Sequence, residues 1–308
     1  MRENIKEFFL GLEEPNFLAM KLLFGVFKRF ENGDKCSQKI VDNIGLFSKY
    51  NIRLLHSKDS CNSVFTTDDL SRIDFSIAES GTEEIVCHEF GHLLLDIFAR
   101  GEVPDEYSEV NKLCRKRLLM NEEEVFELLE LYRDITFAKI TENLDEPLGF
   151  CNRHPEYREL YFIENPEAIE EDLINDILIE HFALVANIDQ DIEQYSKVSN
   201  IIDSIFCGDN PFCFAYGNDE IDPILAMHCD EYFEDADFGP DVLGFEEQFA
   251  DYLVFRTFPE KMNEAKAVLY NLLGQEWFTM MNRFYEKVTD RIGDDKKVYQ
   301  YKNNDANV

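Results

Sequence analysis

Five apolar residues, Ile85, Val86, Leu93, Leu94 and Leu95, enclose the run His88-Glu89-Phe90-Gly91-His92. No other stretch of this chain limits its fold as strongly. The apolar flanks predict an interior helix, and four residues make about one helical turn, so both imidazoles leave the same face. Ionisable groups taken out of water need a partner or a metal ion. Two histidines at this spacing can share one ion, zinc by preference, with Glu89 beside the coordination position left open, where a water is activated. Gly91 costs the helix about 1 kcal/mol relative to Ala, so a second element is expected to pack closely on that turn.

Two histidines are one ligand short of the three that a catalytic zinc normally takes. A glutamate third ligand usually sits on a second helix, with an acid one turn later that can orient a metal-bound imidazole through its other nitrogen. The pattern E-x-x-x-D occurs twice after residue 92 in suitable settings. Glu130 and Asp134 lie on an acid-rich amphipathic stretch where ion pairing accounts for both. Glu247 and Asp251 lie between Phe245 and Pro259 in an otherwise apolar helix, where acids need a reason. Glu247 is therefore the expected third ligand and Asp251 its supporting acid, with Glu130 the alternative.

Around these landmarks the periodicity predicts helices over residues 4–31, broken at Pro15, and over Ser37–Tyr50. Short strands follow at Ile52–His56, near Ser63–Thr66 and at Arg72–Ile77. The segment Ser80-Gly81-Thr82-Glu83 offers a cap for the motif helix, which should run to about Arg100. Further helices are expected at Glu106–Leu119, Glu122–Thr141, Pro166–Ala186, Gln190–Ile205 and Leu243–Thr257, and two more after Pro259 reach Ile292. Trp277, Phe278 and Phe284 read as core aromatics. His56, His154 and His181 have no metal spacing, and Tyr252 and His228 are candidates to stabilise an oxyanion only by their nearness in sequence.

The quoted motifs resemble those of the ImmA/IrrE-type metallopeptidases, within the thermolysin-like zinc enzymes that use a glutamate third ligand. The second motif of that family, E-x-x-A-N-x-F-A followed by an aliphatic run and a proline, is similar to Glu247, Ala250, Asp251, Leu253 and Pro259, with Asp251 where Asn is usual. The resemblance covers roughly residues 35–100 and 241–275. It implies an α+β, predominantly helical fold. Its zincin-like core would comprise a small sheet, the H-E-x-x-H helix and a glutamate-bearing helix. It also implies Zn2+ held by His88, His92 and Glu247, Glu89 as the catalytic glutamate, Asp251 in the orienting role, and hydrolysis of a specific protein such as a transcriptional repressor.

The chain departs from that family in one large respect, since 154 residues lie between His92 and Glu247. Residues 104–238 therefore read as an inserted all-α acidic subdomain, between N-terminal core elements in 1–103 and C-terminal core helices in 239–308. Loop-closure entropy grows only logarithmically with length and permits this. Of the net charge of −33, about −26 falls between residues 101 and 240. Such a field repels nucleic-acid backbone and anionic lipid, so direct nucleic-acid or membrane binding is not expected, while a protein with a basic surface is.

With 45% hydrophobic residues and 27 Phe, the chain can still fill a core. Eight cysteines without a compact framework fit free thiols in a cytoplasmic protein, and the apolar run 17–30 is interrupted by Lys21, Lys28 and Arg29. Two rival readings stand beside the peptidase. One is an acidic module that binds proteins or mimics DNA and sequesters a basic partner, with zinc purely structural. The other is a toxin or effector protease aimed at a foreign protein.

Overall fold

The computed structural model describes residues 2–13, 15–57, 62–67, 70–118, 199–206 and 239–292. They form an α+β, mostly helical structure with one three-stranded sheet. Helices α1 (Glu3–Leu10), α2 (Phe17–Asn32) and α3 (Lys35–Asn43) lead into a 3₁₀ turn at Ile44–Lys49. Strands β1 (Ile52–His56), β2 (Ser63–Thr66) and β3 (Ile73–Ile77) follow, then α4 (Glu83–Phe98), α5 (Tyr107–Leu118), α6 (Ser199–Phe206), α7 (Pro240–Thr257) and α8 (Pro259–Arg291). No helix among the described residues is long and apolar enough to cross a membrane.

The helix expected over Ser37–Tyr50 is split, with α3 ending at Asn43. A 3₁₀ turn eclipses residues three apart, and here it turns both Ile44 and Phe47 into the core. After Pro259 the two expected helices follow one another within α8, Pro259–Arg291. They meet at Gly274, whose φ of 73° is left-handed. The Arg117 guanidinium fills the space that a side chain there would need, and it donates to the Leu273 carbonyl.

Strand β3 is central, parallel to β1 and antiparallel to β2. Ile52, Leu54, Ile73, Phe75 and Ile77 turn to the buried face, as the two-residue strand period requires. On the other face Arg53 stands directly across from Asp74. Thr82 caps α4 by accepting from the Ile85 amide, and Glu83 and Glu84 in the first turn suit the positive end of the helix dipole. At the other end Arg291 donates to the Phe98 carbonyl at 2.8 Å. Phe90 on α4 packs against Phe27, Phe30 and Phe47, which seats the helix on α2 and the 3₁₀ turn.

The range 104–238, set apart on charge, is described only at 104–118 and 199–206. There Cys114, Leu118, Ile201, Ile202 and Ile205 share one buried cluster with Phe245, Leu273 and Trp277. Helices expected at Glu122–Thr141 and Pro166–Ala186, and most of Gln190–Ile205, lie outside the described residues.

Candidate metal centre

The centre is built where α4 and α7 touch. Gly91 faces Ala250, and a Cβ placed on Gly91 would lie 2.8 Å from the Ala250 Cα and 3.1 Å from its Cβ. This is the close packing that a glycine in mid-helix predicts, and it lets the two backbones approach until side chains one turn away converge. Gln248 fixes the rotation of α7. Although 1% exposed, it donates to the Tyr107 hydroxyl at 3.0 Å and accepts from Trp277 Nε1 at 2.9 Å, which ties α7 to α5 and α8.

His88, His92 and Glu247 meet at this crossing. The two imidazole Nε2 atoms are 3.1 Å apart, and the Glu247 carboxylate oxygens lie 3.2 Å from His88 Nε2 and 3.4 Å from His92 Nε2. One ligand atom from each lies within 4.8 Å of the others, so the group could hold a metal ion. The fit to zinc can be tested from the donor set. Ligands at about 2.0–2.1 Å in a tetrahedron sit about 3.3–3.4 Å from one another, and here the imidazole nitrogens are 3.1 Å apart with one oxygen of the carboxylate close to each. His88 Nδ1 lies 2.9 Å from Asp251 Oδ1. A carboxylate only accepts, so Nδ1 keeps its proton toward Asp251, and loss of the other ring proton frees the Nε2 lone pair for a metal.

Electrostatics agree with that geometry. Glu247 is 1% exposed. Burial alone would raise its pKa, yet His92 and His88 more than offset this and hold it well below the ordinary carboxylate range. Conversely, burial disfavours a charged His88, but Asp251 and Glu247 outweigh it and hold its pKa well above normal. His92 is also raised, burial being overcome chiefly by Glu247. Glu89, next to the cluster, is raised by burial against the pull of His92 and His88, and it accepts from the Val64 amide of β2. Glu246 is pushed up to about 7, chiefly by burial.

The structure thus brings His88, Glu89, His92, Glu247 and Asp251 together. Tyr252 is a packed aromatic, 3% exposed against Trp277 and Tyr285, with its hydroxyl 3.4 Å from Asn282. His228, His154, His181, Glu130 and Asp134 lie outside the described residues, and His56 is exposed at the end of β1. Sequence reasoning did not single out Gln248 or Asn200. Asn200 Nδ2 donates to Asp251 Oδ2 at 3.0 Å. It also missed Asp96, whose carboxylate accepts from the Thr66 hydroxyl at 2.9 Å and joins α4 to β2. A polar residue within the apolar run around Phe245 was a signal for Gln248; Asn200 has no comparable mark.

Comparison of the chain with known family models, curated proteins and solved structures returns no match. The functional reading therefore rests on the geometry of these residues.

Proposed function

We propose that the protein is a zinc-dependent metallopeptidase with a zincin-like core, in which Glu89 is the general base and His88, His92 and Glu247 hold the ion. The observation that carries this reading is the convergence of two imidazoles and one buried carboxylate within 4.8 Å, with a second buried glutamate alongside. A divalent ion with an open position polarises a carbonyl and makes water acidic enough to give up a proton near neutral pH. Burial raises the proton affinity of Glu89, which suits a group that takes a proton from water and passes it to a leaving amine. Asp251 and Glu247 supply the negative charge that keeps the imidazoles fixed.

The sheet adds a place for an extended peptide. Thr67 donates to Arg72 across the β2–β3 hairpin, so residues 65 and 67 bond toward β3 and the backbone groups of Val64 and Thr66 point to the other edge. No described strand pairs with that edge, and Val64 reaches Glu89 from it. A substrate strand added there, bonding to edge groups other than the Val64 amide that Glu89 takes, would run past the metal ligands. The acidic stretch 101–240 then favours substrates with a basic surface.

The test is Glu89→Gln. The variant should retain one zinc per chain while peptide-bond cleavage, read as new amino termini in a peptide library, falls at least about 100-fold. Equal cleavage by the variant would overturn the reading. A biological activity that survives in the variant but is lost on deleting 104–238 would favour the acidic binding module instead.

A further inference from the structure

We propose that Asn200, on α6, is a positioning residue of the metal centre, acting through Asp251 on His88. The inference rests on the reading of His88, His92 and Glu247 as metal ligands. Asp251 uses its two carboxylate oxygens separately: Oδ1 takes the His88 Nδ1 proton at 2.9 Å, and Oδ2 takes the Asn200 Nδ2 proton at 3.0 Å. Rotation about the terminal torsion of an aspartate is soft, and the Asp251 side chain is 19% exposed. With one oxygen held by His88 alone, the carboxylate could turn toward water. A second, fixed donor removes that freedom and sets the plane in which His88 presents Nε2.

Asn200 is suited to this in two respects. It is 8% exposed on a helix anchored by buried Ile201, Ile202 and Ile205. That helix is clamped further by Asn111 and Arg115, which both donate to the Ile205 carbonyl. A donor on a packed helix holds its partner more tightly than one on a loop. The amide is also neutral. A guanidinium or ammonium at this place would compete with His88 for the Asp251 charge, whereas an amide orients the carboxylate and leaves its charge for the imidazole. Asn200 lies 51 residues before Asp251, so the stretch between the two motifs contributes to holding the metal.

The experiment is a double-mutant cycle on the full chain with Asn200→Ala, Asp251→Ala and the pair. Zinc affinity would be read by chelator competition, and the hold on zinc-bound His88 by the solvent exchange of its Nδ1 proton in 15N NMR. Loss of an outer partner of a metal ligand typically weakens affinity about 10–100-fold. That loss is expected for Asp251→Ala and a smaller one, about 3–10-fold, for Asn200→Ala, with the double variant no weaker than Asp251→Ala alone. The Nδ1 proton of zinc-bound His88 should exchange faster with solvent in Asn200→Ala. Asn200→Asp keeps the size and replaces the donor with an acceptor, so it should weaken zinc at least as much, even if the alanine variant folds poorly. Additive losses in the cycle, or unchanged affinity in Asn200→Ala, would overturn the proposal. Failure of the folded wild-type chain to bind zinc would remove the metal-centre reading and this proposal with it.

Discussion

A buried carboxylate is stable only in company, and two such groups in this chain show different solutions. Glu247 is surrounded by imidazoles. Asp74, on β3, has Arg53 bonding both its oxygens at 2.6 Å and Arg72 alongside. Arg53 first, then Arg72, overcome the burial and draw the Asp74 carboxyl down to about 2. A carboxyl depressed in the folded state contributes stability that is complete above its unfolded pKa of about 4 and is lost as pH falls toward 2. The size of the shift corresponds to about 2 kcal/mol at neutral pH. Asp74→Asn should lower the unfolding free energy from urea titration at pH 7 by about that amount and flatten the decline between pH 4 and 2. Parallel acid limbs for the two proteins would contradict the assignment. At this scale the sequence was informative where a residue type broke its surroundings. His88, Glu89 and His92 stand out in an apolar run, as do Glu247 and Asp251 in theirs. Asn200 was illegible because an asparagine in a short amphipathic helix looks like any solvated residue. Only the fold shows that it turns inward to Asp251.

Among the elements, α4 and α7 carry every residue of the proposed ligand set, and their spacing is set by Gly91 against Ala250. Replacing Gly91 by Ala improves helix propensity by about 1 kcal/mol. At this position the new methyl would meet a backbone atom at 2.8 Å, and backbone cannot yield as a side-chain tip can. Overpacking of this kind costs about 1–3 kcal/mol, so the net effect of Gly91→Ala should be destabilising. It should also move Glu247 away from the imidazoles and weaken zinc binding, which titration of the metal would show. A variant as stable as wild type with unchanged affinity would mean that the helices are not held at this contact. The strands and the motif helix were readable in the sequence because two-residue and 3.6-residue apolar periods survive burial on one face. Two features were not readable: the 3₁₀ turn at Ile44–Lys49, which obeys an i, i+3 core contact, and the place of the break within α8 at Gly274, where Arg117 from a distant helix fills the space.

For the whole molecule, the proposed ion is a cross-link between segments that chain order keeps far apart. His92 and Glu247 are separated by 154 residues of mostly acidic sequence, and their side chains are 3.4 Å apart. Without an ion, His88 and His92 hold protons that Glu247 and Asp251 favour, so at the ligand cluster charge pairing takes the place of the ion. Any species that binds only the folded state stabilises it by mass action, about 2.7 kcal/mol at a free concentration one hundred times the dissociation constant. Zinc should therefore raise the melting temperature of this protein, and a chelator should lower it again. Because both imidazoles must lose their protons to take the ion, the zinc-induced increment should shrink as pH falls from 7 to 5. Glu89→Gln, which removes no ligand, should show the same increment as wild type, whereas Glu247→Ala should show little or none. An increment that persists in Glu247→Ala would place the ion elsewhere in the molecule and separate the two motifs that this crossing joins.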